Sequence, residues 1–120
     1  MPASAADARV RAAVLLAPLT VRLQPASVGS LVPALMVVTA AGDELLAPRF
    51  HGAPWPAMAP RATIEADPRA GHFSFMTSVP AEPRAMLAQA GTDPQGLDRE
   101  QFQRELAQRI IGFLERTAAH

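Results

Sequence analysis

The fold that this sequence predicts is decided by the stretch Ala34-Leu-Met-Val-Val-Thr-Ala-Ala41, which runs directly into Gly42-Asp43-Glu44. Its eight residues carry no charge and do not alternate between apolar and polar, a pattern typical of a strand buried on both faces. The glycine then allows the chain to turn, and the turn presents two acidic residues at the carboxyl end of the strand.

Two shorter apolar stretches lie on either side of this strand. Ala12–Ala17 is stopped by Pro18, and Ala62–Ala66 precedes the loop Asp67-Pro-Arg-Ala-Gly-His72. Strands of this kind, separated by crossovers, predict an α/β fold with about three parallel strands. We expect the first strand, like the second, to be buried on both faces.

Prolines limit the crossovers to short pieces of helix. Leu19–Ser30 is expected to form a loop with at most one helical turn near Pro25. Pro54 and Pro56 interrupt the second crossover, so only single turns are expected there. These turns are Arg49–Gly52 and Pro54–Ala59, and we expect them to pack Phe50 and Trp55 inward.

The last third of the chain is predicted to be helical. Glu82–Ala90 suits a short helix that ends at Gly91. Asp98 fits an N-cap, with Gln101 three residues later as in a capping box, ahead of a long closing helix from about Arg99 to Thr117. One face of this helix carries an apolar stripe that predicts packing against the sheet: Phe102, Leu106, Ile110, Phe113 and Leu114.

Composition narrows the class of protein. The 120 residues suit one domain or part of one, and the formal net charge of +0 argues against nucleic acid or an anionic membrane as a partner. The absence of cysteine excludes disulfides and thiolate metal sites. No apolar run reaches the length of a membrane span, and the N-terminus does not resemble a signal peptide, so we expect a cytoplasmic protein.

The predicted sheet brings two reactive side chains together. Ligands of open parallel sheets bind beyond the carboxyl ends of the strands, where Asp43 and His72 both lie, separated by one crossover of about 30 residues. Asp43 could then accept the Nδ1 proton of His72 and orient it as a general base. Glu44 is the alternative acid, and an aspartate in a Gly-Asp turn can equally bond only its own backbone.

Other polar residues support weaker interpretations. A carboxylate-rich metal site of Asp43, Asp67 and His72 is disfavoured because Asp67-Pro68 is a natural turn sequence and one histidine is a thin ligand set. We expect His51 to face solvent. Arg69 could steer an anionic substrate, although an exposed arginine in a turn is the simpler interpretation.

Four segments carry a resemblance to a known family. They are Arg11–Pro18, Val32–Glu44, Pro68–Phe75 and the run Thr92-Asp-Pro with Gly96-Leu-Asp98 before the final helix. Together they resemble the C-terminal half of an α/β-hydrolase, most closely the bacterial group of predicted dienelactone hydrolase-like proteins. The resemblance covers nearly all of this chain and about half of that fold, and it implies a single, partial α/β-hydrolase-like domain over residues 1–120.

By this resemblance, Asp43 and His72 would be the acid and base of a Ser-Asp-His triad that acts on an ester or lactone without a cofactor. The family's nucleophile lies in a Gly-x-Ser-x-Gly elbow, which this sequence lacks. Ser74 follows His72 closely, but a turn hydroxyl is the better interpretation of it. We therefore expect the serine to come from outside this chain, from a truncated upstream reading frame, a split partner chain or a second copy. The alternative is a non-catalytic remnant of a hydrolase that serves as a binding or dimerisation module and pairs its exposed first strand.

Overall fold

A central strand, β2 (Ala34–Ala40), organises the protein. The computed structural model describes residues 7–28, 33–77 and 93–119. In it, β2 lies between β1 (Ala12–Leu16) and β3 (Thr63–Asp67) in one open sheet of order β1-β2-β3, and both pairings are parallel. The predicted mixed α/β class with three parallel strands is therefore confirmed.

The register of the sheet sets where the polar loops emerge. Ala40, the last residue of β2, lies opposite Asp67, the last residue of β3. The chain therefore leaves both strands at the same end of the sheet. The amide of Gly42 donates to the carbonyl of Ala70 at 3.0 Å, and this hydrogen bond joins the two loops. The turn after β2 and the loop after β3 are thereby neighbours.

Side chains that alternate along β2 enter two separate cores, as the period of a strand requires. Met36, Val38 and Ala40 pack against the C-terminal helix, whereas Leu35 and Val37 pack against the crossover segments around the fully buried Trp55. Both faces of β2 are thus covered, which explains why its sequence lacks polar alternation.

The described residues of the crossovers form only single turns of helix, as their prolines predict. A 3-10 turn at Thr20–Arg22 and α1 (Pro25–Val28) follow β1, and α2 (Pro48–His51) and α3 (Trp55–Met58) follow β2. Trp55 packs inward as expected, but the prediction for Phe50 is wrong. Its ring is 51% exposed and lies against the Arg49 guanidinium, 4.6 Å from the ring centroid, whereas Trp55 of the following helix fills the core on this side of the sheet.

The closing helix, α4 (Arg99–Ala118), begins at the predicted cap, where the Asp98 carboxylate accepts from the amide of Gln101. Phe102, Leu106 and Phe113 are buried against the sheet. Leu114 is an exception to the predicted stripe: it is 43% exposed, because the three-stranded sheet is too narrow to cover the whole apolar face of the helix.

The first strand differs from the prediction that it is buried on both faces like β2, and the third strand is also less buried than β2. The residues of β1 are half-buried or exposed, because in the described part of the chain β1 has a neighbouring strand on one side only. The same holds for most of β3, but β3 carries Glu65 and Asp67, and Arg109 on α4 forms an ion pair with each of them. One edge of the sheet is thus charged and the other is apolar.

Asp67 ties the end of β3 to its surroundings. Its side chain is only 2% exposed; Oδ1 accepts from the Arg69 amide, and Oδ2 lies 3.4 Å from the guanidinium of Arg69 and from that of Arg109. Burial alone would raise the pKa of this carboxyl group, but the hydrogen bonds and positive charges of the arginines bring the pKa below its ordinary value of 3.8.

The predicted helix Glu82–Ala90 and its stop at Gly91 lie outside the described residues. Within the described residues, no helix combines the length and the apolar composition needed to cross a membrane.

Replacing Asp67 by asparagine removes a buried charge that two arginines stabilise, so we expect Asp67→Asn to lower the free energy of unfolding by about 1–3 kcal/mol at pH 7. Because the folded state depresses the pKa of Asp67, this stabilisation is present above the ordinary carboxyl range and is lost as the pH falls through the depressed value. Urea titrations at pH 7 and pH 3 check both points.

Glu105→Gln is the matched control, since Glu105 is a solvent-exposed partner of the same Arg69. It should change stability less than Asp67→Asn does. A gap between wild type and Asp67→Asn that fails to narrow at low pH would contradict the assigned role of Asp67.

Candidate functional site

The turn after β2 fixes the Asp43 carboxylate with main-chain donors. Its Oδ1 accepts from the amides of Leu45 (2.9 Å) and Leu46 (2.6 Å), and its side chain is 4% exposed. This is the turn geometry that a Gly-Asp sequence favours. Because Oδ1 satisfies the backbone, Oδ2 remains free for another partner.

That partner is His72, which begins a 3-10 turn (His72–Phe75) after β3. Its Nδ1 lies 2.8 Å from Asp43 Oδ2. A carboxylate can only accept, so Nδ1 carries the proton and the neutral ring keeps its lone pair on Nε2. Within the described residues, Nε2 has no hydrogen-bond partner.

A cavity of about 430 Å³ adjoins the imidazole. Its described walls are Gly42, Glu44, Leu45, Gly71, His72, Phe73, Asp93 and Pro94. The His72 side chain is 23% exposed, so solvent and small molecules reach the ring while the carboxylate behind it stays shielded. The Phe73 ring contacts the imidazole edge to face, with centroids 5.0 Å apart, and makes this wall apolar.

Two glycines allow the three loops around the cavity to pack closely. A Cβ on Gly42 would lie 3.0 Å from the carbonyl oxygen of Ala70, and one on Gly71 would lie 3.1 Å from Cδ of Pro94. Both distances are shorter than ordinary contacts, so any side chain here would push apart the loops that carry Asp43 and His72.

A buried polar chain supports the His72 loop from the other side. Ser74 is 0% exposed; its Oγ accepts from the Gly71 amide (3.0 Å) and donates to Asp93 Oδ1 (2.7 Å). Arg99, at the start of α4, donates through Nε to Asp93 Oδ2 (2.8 Å) and through a terminal nitrogen to Oδ1 (3.1 Å). Ser74 is therefore a turn hydroxyl, as predicted, and it lies within the 3-10 turn that His72 begins.

The other residues singled out in the sequence lie apart from the Asp43–His72 pair. Glu44 is exposed and lines the cavity, but the hydrogen bond to His72 comes from Asp43. Asp67 is bound by arginines, so it is not available to a metal site with Asp43 and His72, and the described residues contain no cluster of metal-binding side chains. Arg69 pairs with Asp67 and Glu105.

His51 does not simply face solvent, which corrects its sequence interpretation. It is half-buried, and its Nδ1 accepts from the amide of Thr20 at 3.0 Å. Thr20 Oγ1 donates to the His51 carbonyl and accepts from the indole of Trp55. The two described histidines thus have opposite Nδ1 roles, acceptor in His51 and donor in His72.

Sequence analysis missed Asp93, Pro94 and Arg99 as parts of this site. Asp93 and Pro94 belong to a run that the sequence marks only by its resemblance to a family, and Arg99 is recognisable only as the first residue of a helix. The sole signal in the sequence was that run of polar and turn residues next to a helix cap, and it does not reveal which loop it contacts.

The Asp43–His72 arrangement can accept a proton at Nε2 of His72. With Nδ1 donating to a shielded carboxylate, Nε2 can take a proton from a group in the cavity, and the carboxylate stabilises the imidazolium that forms. Within the described part of the chain, neither serine is placed as a nucleophile, since Ser74 is buried and Ser27 bonds the Gln24 carbonyl on the surface.

Comparison with protein-family models, with curated proteins and with solved structures found no match to this chain.

Proposed function

We propose that this chain supplies the acid and the base of a serine hydrolase of the α/β-hydrolase type that acts on an ester or lactone. The observation that carries the proposal is the 2.8 Å bond between Asp43 Oδ2 and His72 Nδ1 at the edge of a parallel sheet, beside a cavity that His72 lines. Most His–Asp pairs in proteins are structural. A partly exposed imidazole on a shielded carboxylate is not needed for a structural pair, and this arrangement therefore favours a catalytic role.

The nucleophilic serine of this proposal lies outside the chain. In the full sequence no serine has the Gly-x-Ser-x-Gly spacing that places a hydroxyl on a strand-to-helix elbow. His72 would activate such a serine, and Asp43 would hold the ring in the correct tautomer through both chemical steps. The apolar cavity wall around Phe73 and Leu45 suits an uncharged acyl or lactone group.

The first test is ester and lactone hydrolysis by the chain alone and by the chain extended through the coding sequence that precedes Met1. We expect hydrolysis only from the extended protein. In that protein, His72→Gln and Asp43→Asn should each lower kcat/KM by about 10³–10⁴-fold, because the first removes the base and the second favours the wrong tautomer.

Glu44→Gln is the matched control, since it neutralises the adjacent acid, which lines the same cavity but does not contact His72 in the structure. It should cost less than about tenfold in kcat/KM. Equal losses for Glu44→Gln and Asp43→Asn would refute the assignment of the acid, and activity that survives His72→Gln would refute the proposal.

A second test uses a fluorophosphonate probe, which labels activated serines. We expect no labelling of the isolated chain, because its described serines are buried or bound to backbone. Intact-mass spectrometry measures the result. Labelling that His72→Gln abolishes would show that the nucleophile belongs to this chain.

The alternative function is a binding or dimerisation module, and one observation favours it. β1 is an edge strand without charged residues, and Val10, Leu16, Leu19 and Val21 near it are exposed. If two copies pair through β1, the chain sediments as a dimer and Leu16→Lys makes it monomeric. A monomeric wild-type chain would contradict dimerisation through β1.

A further inference from the structure

The peptide group between Ala70 and Gly71 is held from both sides. Its carbonyl accepts from the amide of Gly42, one residue before Asp43, and its N–H donates to Ser74 Oγ. This peptide group is one peptide unit removed from His72, so holding it restrains the segment from which the imidazole leaves the chain. One bond therefore links it to the turn of the acid, and the other links it to the buried polar chain of Ser74.

The second bond depends on Asp93. A serine hydroxyl can rotate, and it accepts well from Gly71 only when its own proton is directed elsewhere. Asp93 Oδ1 receives that proton at 2.7 Å, and the two bonds from Arg99 fix the carboxylate in turn. Because Arg99 is 7% exposed, solvent screens this ion pair little.

We propose that Asp93 is a positioning residue for His72, acting through Ser74 to hold the Ala70–Gly71 peptide group. The assignment rests on the proposed hydrolase function, in which the orientation of His72 matters for proton transfer. Asp93 also lines the cavity, but no contact places it on the reacting atoms. Its effect is to keep Nδ1 of His72 on Asp43.

The alternative is that Asp93 only anchors α4, and the structure offers a control for that role. Asp98 caps the same helix through the Gln101 amide and has no contact with the Ser74 chain. Asp98→Ala should destabilise the helix as cap removal generally does. It should leave the His72 loop unchanged if positioning is specific to Asp93.

The experiment is ¹⁵N NMR of the histidine-labelled full chain, which reads the tautomer of each ring and the exchange of the Nδ1 proton with water. In the wild type we expect His72 in the Nδ1–H form and His51 in the Nε2–H form, since their hydrogen bonds are opposite. Ser74→Ala should speed exchange of the His72 Nδ1 proton by at least about fivefold, the effect of losing one net hydrogen bond.

Asp93→Asn, which keeps the shape of the side chain but weakens its bonds to Arg99, should speed exchange in the same direction, and it is the deciding variant where Ser74→Ala does not fold. The His51 signal reports folding in each sample. Unchanged His72 exchange in folded Asp93→Asn, or an equal change in Asp98→Ala, would overturn the positioning role. A wild-type His72 in the Nε2–H form would instead refute the proposed function, so the two failures are distinguishable.

Discussion

The burial of β2 on both faces is the constraint on which the rest of the structure depends. Covering one face requires α4, and covering the other requires Trp55 and the short turns of the crossovers. Because both crossovers make the strands parallel, all three strands have their carboxyl ends on the same side of the sheet. The polar loops that follow β2 and β3 therefore leave neighbouring strands at the same end of the sheet. Their proximity is a consequence of the hydrophobic packing that sets the strand arrangement.

The two carboxylate oxygens of Asp43 perform different tasks, and this division explains how one residue serves both folding and the candidate site. Oδ1 satisfies two amides of its own turn, as many aspartates do, and this fixes the side-chain rotamer. Oδ2 then faces His72 without a further cost in side-chain entropy. Glu44, the next residue in the turn, is exposed, and the hydrogen bond to His72 comes from Asp43.

The sequence predicted what depends on local pattern. β2, the helix cap at Asp98 and the meeting of Asp43 with His72 follow from apolar runs, cap residues and the geometry of parallel strands. The apolar character of Phe50, Leu114 and β1 predicts burial, but the fold leaves Phe50 beside Arg49 and leaves Leu114 and β1 beyond the surface that a narrow sheet can cover. His51 and Asp93 find their partners across the fold, at Thr20 and Ser74, and no periodicity within either segment encodes such a contact.

The two edges of the sheet differ in how well each could pair with a strand from another chain. Charges on β3, neutralised by α4, make that side a poor template for another strand, whereas β1 offers a polar backbone flanked by apolar side chains. Within the described sheet, β1 is therefore the strand that would better accept another strand. If two copies paired through β1, the combined sheet would have a charged β3 strand at each edge. Self-association would then stop at a dimer rather than continue into a filament.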